Sequence, residues 1–211
     1  DLERPGPGLR SLDQLGLLAV VLPELGPLRD LAQPPPHALL ALEHTLAVVD
    51  RLSAVLGALS APPDPESASD LTLAEVALRL GRFREALHAH LDQRTSYSVR
   101  TRQVLFLAAL LHDVGKPGAQ SAGDSGRVGF LGHERLGAET AARRAAALRL
   151  SSDEVERVRR IVLLHMRPEF LEASPPVTPR AIYRFFREAG PVGVDVALLS
   201  LADFLAKRTP P

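Results

Sequence analysis

Three histidines and two aspartates occupy strongly apolar helical stretches of this 211-residue sequence. His44 lies in a leucine- and valine-rich stretch, His112 closes the run VLFLAALLHD, and His165 shares a helical face with branched aliphatic residues. Asp113 directly follows His112, and Asp203 lies within VALLSLADFLA. Each imidazole alone is typical of a hydrogen-bonded core or surface histidine, because a buried polar ring must be satisfied. The five groups together have a simpler explanation, which is that they converge on a divalent cation.

Composition limits the kind of metal. The chain has no cysteine, which excludes thiolate sites, iron–sulfur clusters, cysteine nucleophiles and disulfides. Nitrogen and oxygen ligands favour Mn, Fe, Mg or Ni over structural zinc. Imidazole nitrogens and carboxylate oxygens together suit a six-coordinate ion with positions left open for water or substrate.

Helices are the elements that must position these groups. Leucine and alanine are abundant and aromatic residues make up 4% of the chain, which favours helix over strand. The apolar spacing and the capping residues, among them the capping box from Ser151 to Glu154 and the N-cap Thr178, predict eight helices, over residues 11–22, 37–59, 71–91, 99–114, 132–148, 151–166, 179–190 and 191–207. The Gly- and Pro-rich residues 115–130 are predicted to form a loop over the site. The sequence therefore predicts an all-α bundle of roughly eight helices.

The domain organisation and the charge exclude several classes of protein. Residues 1–10 are predicted to be a linker or loose lead-in, and residues 11–211 a single domain. Lys+Arg and Asp+Glu both number 25, so no basic footprint for indiscriminate nucleic-acid binding is present. The apolar runs are too short to span a bilayer and no signal-peptide pattern opens the chain, so a cytoplasmic protein without membrane partners is expected.

Three motifs resemble a known family. They are His44-Thr45, then Leu110-Leu111-His112-Asp113-Val114-Gly115-Lys116-Pro117, then Ala202-Asp203. This order resembles the signature of the HD-domain metal-dependent phosphohydrolases. Softer motifs, such as Phe130-Leu131-Gly132-His133-Glu134, resemble the C-terminal HD region of bacterial tRNA nucleotidyltransferases and poly(A) polymerases. The resemblance covers residues 15–207, with Leu40 standing where that subgroup often carries aspartate.

The resemblance implies an HD-domain helical bundle and a set of metal ligands. Four residues are implied as ligands of a divalent ion of the Mn, Ni, Mg or Fe type, namely His44, His112, Asp113 and Asp203. Asp113 could bridge a second ion, for which His133 and His165 are the implied further ligands. One or two ions per chain are therefore expected. The alternative for His133 is a solvated position at the start of a helix.

Lys116 is one of only two lysines among 25 basic residues. Its ammonium, three positions after Asp113, can hold a phosphate oxygen as a point charge, unless Lys116 is an ordinary exposed lysine. Asp113 and Lys116 are the implied catalytic residues. Asp113 would orient or deprotonate the attacking water, and Lys116 would offset charge on the phosphate oxygens. Three arginines are further candidates for substrate contacts: Arg167, Arg180 and Arg184.

The remaining histidines receive structural predictions. His88 and His90 lie in the polar stretch HAHLDQR and are predicted to be surface residues. His37 lies seven residues before His44 on the same helical face, so it is predicted to line the mouth of the pocket.

The resemblance implies metal-assisted hydrolysis of a phosphate ester on a nucleotide or an RNA 3′ end. The candidate activities are 2′,3′-cyclic phosphodiesterase, 2′-nucleotidase and phosphatase. The alternative is a non-catalytic tRNA- or RNA-binding or assembly module that partners a separate nucleotidyltransferase. The subgroup motifs do not support a hydrolase of signalling nucleotides. The sequence contains no Gly-Ser…Asp-x-Asp pattern, P-loop or nucleophilic serine elbow, so the nucleotide-adding head is expected to be absent from this chain.

Overall fold

The computed structural model describes residues 5–35, 37–60, 71–96, 99–122, 128–173 and 175–207. Within these ranges the backbone forms twelve α-helices, three 3₁₀ segments and one two-stranded antiparallel ribbon. The helices are α1 (Pro5–Gln14), α2 (Leu17–Val21), α3 (Ala41–Ser60), α4 (Leu71–Leu80), α5 (Arg84–Asp92), α6 (Thr101–Leu111), α7 (Lys116–Ala119), α8 (His133–Ala147), α9 (Ser152–Leu164), α10 (Arg167–Glu172), α11 (Pro179–Ala189) and α12 (Gly193–Lys207). The predicted all-α class is confirmed.

The helices are more numerous than predicted because several predicted helices are divided. The 3₁₀ segment Gly81–Phe83 separates α4 from α5. Gly16 has a φ of 72°, a left-handed conformation that interrupts the predicted helix over residues 11–22. The short helix α10, which was not predicted, follows α9, and Pro168 lies in its first turn, where proline is tolerated.

Two predictions of irregular structure are corrected for the residues that the structure describes. Residues 5–10 were expected to be a linker but belong to α1, because Gly6 is buried against Asp50 of α3 and lets the two helices approach closely. Residues 115–130 contain α7 and a ribbon that pairs β1 (Ser121–Ala122) with β2 (Val128–Gly129). Residues 1–4, 61–70 and 123–127 lie outside the described ranges.

Helix α3 forms the centre of the core. Its buried side chains point in several directions and include Leu46, Val49, Leu52 and Val55. The helix packs against α12, α6, α4 and α1, which explains why it carries apolar side chains on all of its sides. Because α3 carries His44 and α12 carries Asp203, this packing brings two of the predicted ligands together.

Helices α8 and α9 pack closely because α8 presents small residues. Ala138, Ala141 and Ala145 are fully buried on α8. Branched residues of α9, including Val162, occupy the facing surface, and a Cβ added at Gly137 would lie 3.4 Å from Val162 Cγ1. The predicted capping box begins α9, since Ser151 Oγ accepts from the Glu154 amide and Glu154 Oε2 accepts from the Ser151 amide.

The segment Pro179–Lys207 is the one stretch of the described residues that is long and apolar enough to cross a membrane. Within the protein, 61% of its most apolar window is buried. The segment is also broken by a 3₁₀ turn at Gly190–Val192, between α11 and α12. Such burial is typical of a core helix in a globular domain.

Candidate metal centre

Six predicted ligands lie together in one buried cluster. Two of them directly follow helices, since His112 comes after the end of α6 and His165 after the end of α9. His133 is the first residue of α8, preceded by Gly132 with a φ of 81°. Five elements of the bundle thus contribute to the cluster of His44, His112, Asp113, His133, His165 and Asp203.

Three imidazoles are held in the same way, and this determines which nitrogen faces the cluster. The Nδ1 atoms of His112, His133 and His165 lie 2.7, 2.8 and 2.7 Å from the backbone carbonyl oxygens of Ala109, Phe130 and Val162. A carbonyl only accepts hydrogen bonds, so each Nδ1 carries a proton, and in the neutral form of each ring Nε2 carries a lone pair. Such backbone hydrogen bonds orient metal-binding histidines.

The lone pairs face one another and lack hydrogen-bond donors. His133 Nε2 lies 3.3 Å from His165 Nε2, and two acceptors cannot hydrogen-bond to each other. His112 Nε2 is buried and has no hydrogen-bond partner within the described ranges. Buried acceptors of this kind are normally satisfied, and a divalent cation would satisfy them.

The distances between donor atoms fit a metal ion. Asp113 is shared by two groups whose ligand atoms lie within 4.8 Å of one another, one with His44 and His112, the other with His133 and His165. His112 Nε2 lies 3.2 Å from Asp113 Oδ2, and His133 Nε2 lies 3.4 Å from Asp113 Oδ1. Neighbouring ligands of an octahedral ion with bonds of about 2.1 Å are about 3 Å apart. Two ions that share Asp113 fit these separations.

Asp203 joins the cluster through His44. Its Oδ1 lies 2.9 Å from His44 Nε2, and its Oδ2 lies 3.0 Å from Lys207 Nζ. Burial raises the pKa of Asp203, but the hydrogen bond to His44 and the charges of His112 and Lys207 together outweigh burial and lower the pKa below its usual range. Lys207 is the residue that the sequence analysis missed, although it is the other of the two lysines in the chain.

Lys116 is buried at the centre rather than exposed. It is 5% exposed, and its Nζ lies 2.7 Å from Asp113 Oδ2 and donates to Gln33 Oε1. Burial raises the pKa of Asp113, but His112 and Lys116 outweigh it and hold the pKa well below 3.8. Asp113 is therefore a carboxylate at neutral pH, the form that binds cations.

The three arginines predicted to contact substrate lie on the surface. The described residues show no hydrogen bond or ion pair between the cluster and Arg167, Arg180 or Arg184. Arg167 is exposed and pairs with Glu188 of α11, while Arg180 and Arg184 are exposed on α11 itself. Substrate contact by these residues stays a prediction.

The three histidines outside the ligand set lie in different places: His37 is beside the cluster, whereas His88 and His90 are on α5. His37 is half-buried with its ring centroid 4.6 Å from that of His44, but it precedes α3, so the predicted shared helical face is wrong and a place at the mouth of a pocket stays a prediction. The prediction of a surface position is wrong for His90, whose Nε2 lies 2.8 Å from Oδ1 of the fully buried Asp195. His88 is half-buried on α5.

Gly115 allows α7 and α8 to approach each other beside the cluster. A Cβ at this position would lie 2.0 Å from the carbonyl oxygen of His133 and 2.5 Å from the amide nitrogen of Gly137. Both atoms belong to the backbone, so α8 would have to move, and with it the His133 ring.

We expect Gly115→Ala to lower the free energy of unfolding by about 1–3 kcal/mol, the usual effect of overpacking, and to weaken metal binding. Gly118→Ala is the matched control, because a Cβ there would meet Leu136 Cδ1 at an ordinary 3.5 Å. Urea denaturation of both variants measures the difference. Equal stability in the two variants would contradict the close approach.

We also expect the metal-free protein to lose stability as the pH falls below 6.5. Burial, followed by repulsion from His112, lowers the pKa of His165 from 6.5 to about 3. Between these values the unfolded chain binds a proton at His165 and the folded chain does not, so acid favours unfolding. The contribution of His165 should be about 2 kcal/mol between about pH 7 and pH 5.

The comparison with His165→Gln isolates that contribution. Burial lowers the pKa of His112, but Asp113 outweighs burial and raises it, which gives a contribution of opposite sign that is lost as the pH rises. Because His112 is present in both proteins, the His165→Gln variant should lose less stability on acidification than the unmodified chain. If the free energy of unfolding fell equally with pH in the two proteins, the assignment of the acid sensitivity to His165 would be wrong.

Comparison with known proteins agrees with this geometry. The family described as HD domain matches residues 71–206. The chain is 35% identical over 202 residues to the CC-adding tRNA nucleotidyltransferase of Thermus thermophilus, which covers 95% of this chain and 36% of that protein. It is 29% identical over 204 residues to the A-adding tRNA nucleotidyltransferase of Deinococcus radiodurans, with 96% of this chain and 36% of that protein covered. The chain thus spans about a third of the length of these relatives. The chain belongs to the HD domain family, whose members form a superfamily of metal-dependent phosphohydrolases.

Proposed function

We propose that this protein is a metal-dependent phosphohydrolase that acts on phosphate esters of nucleotides or RNA ends. The observation that carries the proposal is the pair of lone-pair nitrogens, His133 Nε2 and His165 Nε2, which face each other 3.3 Å apart beside Asp113. The candidate reactions are those of a 2′,3′-cyclic phosphodiesterase, a 2′-nucleotidase or a phosphatase.

Two overlapping sets of residues would hold the metal. One set is His44, His112, Asp113 and Asp203, and the other is Asp113, His133 and His165. Bound divalent ions would supply Lewis-acid chemistry toward phosphate oxygens and would favour ionisation of water at neutral pH. The nitrogen and oxygen donors suit Mn, Ni, Mg or Fe.

Asp113 and Lys116 are the proposed catalytic residues. The ionised Asp113 carboxylate accepts hydrogen bonds and would orient a water molecule for attack on phosphorus. The Lys116 ammonium, 2.7 Å from Asp113 Oδ2, places a fixed positive charge at the cluster. It would stabilise negative charge as it develops on the phosphate oxygens.

Helix α11 is the proposed contact surface for the substrate. It carries exposed Tyr183 and Phe186 together with exposed Arg180 and Arg184. Aromatic rings stack on unpaired bases and arginines bind phosphates, a combination suited to a single-stranded RNA end. The helix packs against α12, which carries Asp203, and against α10, which follows His165.

The relatives support an RNA 3′ end as the substrate. Both are named as tRNA nucleotidyltransferases, and the matched region corresponds to about a third of each. We therefore propose a tRNA or another RNA end as substrate, a cytoplasmic location and no membrane partner. We also propose that the described residues, from α1 to α12, form one HD domain.

The names of the relatives also favour a second candidate function. The chain could be a non-catalytic tRNA-binding or assembly module that partners a separate nucleotidyltransferase. Such a module would not need buried imidazole lone pairs around a carboxylate, because each is costly without a cation. This makes the hydrolase the better-supported proposal.

A screen of phosphate esters distinguishes the two functions. Protein purified without chelator would be assayed on a 2′,3′-cyclic nucleotide, a 2′-nucleotide and a general phosphatase substrate with added Mn²⁺, Ni²⁺ or Mg²⁺. Metal-dependent turnover of any of these substrates supports the hydrolase. Tight tRNA binding without turnover under any metal supports the module.

A further inference from the structure

The connection that leads into α3 contacts the metal centre from outside the set of predicted ligands. Its two ends are joined by the Ala41 amide, which donates to the carbonyl oxygen of Leu31 at 2.9 Å. Within the connection, Gln33 Nε2 donates to the carbonyl oxygen of Leu39 at 3.2 Å. These two hydrogen bonds close the connection into a compact loop, and Gln33 is the residue through which this loop reaches Lys116.

The orientation of the Gln33 amide is determined by its two partners. A backbone carbonyl only accepts hydrogen bonds, so the atom that faces Leu39 is the amide nitrogen. An ammonium only donates, so the atom that faces Lys116 Nζ is Oε1. The reversed amide would place two donors together and two acceptors together. Gln33 therefore has one arrangement that satisfies both of its contacts.

The Lys116 ammonium has three N–H groups, and two of them have partners. Asp113 Oδ2 lies 2.7 Å from Nζ, and Gln33 Oε1 accepts from the same atom. The ring centroid of Phe130 lies 5.7 Å from Nζ, within the range of a cation–π contact. The structure gives this ammonium no further acceptor among the described residues, so one N–H is left for a substrate oxygen.

The two acceptors differ in what a bound metal ion would do to them. Asp113 is a proposed metal ligand, and a cation on this carboxylate would offset its charge and repel the ammonium. Gln33 belongs to neither group of ligand atoms, so its oxygen stays available to Lys116. Because the lysine side chain is long and flexible, it needs such a contact to stay in place.

We propose that Gln33 is a positioning residue that holds the ammonium of Lys116 beside Asp113. The amide is neutral, so it fixes the ammonium without offsetting the charge that would act on the phosphate oxygens. The part that Lys116 plays in turnover rests on the proposed function, whereas the position of the ammonium does not.

The direct test follows the two lysine ammonium groups by NMR, with lysine isotopically labelled at Nζ as the only labelled residue. A buried, hydrogen-bonded ammonium exchanges its protons with water slowly. Gln33→Met keeps the length of the side chain but removes the acceptor, so proton exchange at Lys116 should become about tenfold faster, the effect of one hydrogen bond to a charged group. Lys207, which pairs with Asp203 and Glu169, is the internal reference and should not change.

The Lys116 signal is assigned by its loss in Lys116→Met. A Lys116 ammonium without slow exchange in the unmodified chain would overturn the proposal, as would an unchanged exchange rate in Gln33→Met. The exposed Gln14 of α1 provides the matched control, since Gln14→Met should leave both signals unchanged. The measurement needs neither turnover nor bound metal.

Gln33→Glu separates a direct contact with Lys116 from mere support of the loop. Glutamate keeps an oxygen that accepts from Lys116, but its carboxylate cannot donate to the Leu39 carbonyl. We expect exchange at Lys116 to stay as slow as in the unmodified chain. Exchange as fast as in Gln33→Met would mean that Gln33 only supports the loop, which would contradict the proposal.

Turnover then shows whether the position of Lys116 matters for the reaction. Gln33→Met should lower kcat about tenfold with little change in KM, because the charge that Lys116 offsets develops in the transition state. In a chain that carries Lys116→Met, the same substitution should lower kcat no further, because the two residues act as one unit. Equal losses in both backgrounds would overturn the positioning role. No turnover in any variant, with the ammonium signals as expected, would contradict the hydrolase proposal and leave the position of Lys116 supported.

Discussion

Replacing Asp113 by asparagine should lower the rate of phosphate-ester hydrolysis by more than about 100-fold, because even the loss of a group that only orients a metal ligand costs about 10–100-fold. Asp113 belongs to both groups of ligand atoms, so the substitution removes a negative charge that two ions would share. Asparagine keeps the shape and an oxygen that can accept from Lys116, so the fold should survive. Initial rates with the preferred substrate and metal, together with circular dichroism, measure both effects.

Asp92→Asn is the matched control for this experiment. Asp92 is a partly exposed aspartate that pairs with Arg102 at 3.3 Å, outside the cluster. Its substitution should leave turnover unchanged. If Asp113→Asn also retained full turnover, the proposed catalytic role of Asp113 would be wrong. If both variants bound RNA equally and the unmodified chain showed no hydrolysis with any metal, the RNA-binding module would replace the hydrolase.

Removing His133 and His165 together should lower the metal content from two ions per chain to one. With Nδ1 of each ring bonded to a carbonyl, the two Nε2 atoms face each other at 3.3 Å and can bind one cation. The double variant His133→Gln/His165→Gln removes both lone pairs, and turnover should fall sharply if two ions clamp the attacking and leaving oxygens. Elemental analysis of protein dialysed against the metal measures the stoichiometry.

His88→Gln provides the control for the loss of a histidine. His88 lies half-buried on α5 and belongs to neither group of ligand atoms, so its substitution should change neither metal content nor turnover. If the double variant kept both the metal content and the turnover of the unmodified chain, His133 and His165 would be bystanders. The site would then hold a single ion, served by Asp113 and the remaining ligands.

The sequence was sufficient to predict the all-α class and the polar residues within the apolar helices, because both depend on local patterns, whereas His133 was implied only by the family resemblance. Ser151 and Thr178 were recognised as helix caps from the residues that follow them, and both cap their helices in the structure. The cluster could be predicted because His44, His112 and Asp203 are polar residues in apolar stretches, where burial demands a partner. The simplest explanation for several such residues was that they converge on one divalent cation.

Contacts between distant parts of the chain could not be predicted in the same way. His90 occupies a polar stretch, and nothing near it indicates that its partner is Asp195, which lies 105 residues away. Gly115 was expected only to end a helix, whereas its close approach to the α8 backbone depends on how α7 and α8 pack. Packing of this kind depends on long-range geometry that residue spacing does not encode.

The second lysine shows a signal that could have been used. Lys116 was singled out because lysine is rare in this chain, and the same reasoning applies to Lys207. The structure places both ammonium groups on carboxylates of the cluster, at 2.7 Å from Asp113 and 3.0 Å from Asp203. Because lysine is rare in this arginine-rich chain, its occurrence indicated both of these positions.

The most direct test of the central claim is an anomalous-difference map from crystals grown with Mn²⁺. We predict peaks bounded by His44, His112, Asp113 and Asp203, and by Asp113, His133 and His165, with the two ions roughly 3.5–4 Å apart. A map with no peak among these residues, in crystals that contain the metal, would contradict a metal-dependent site.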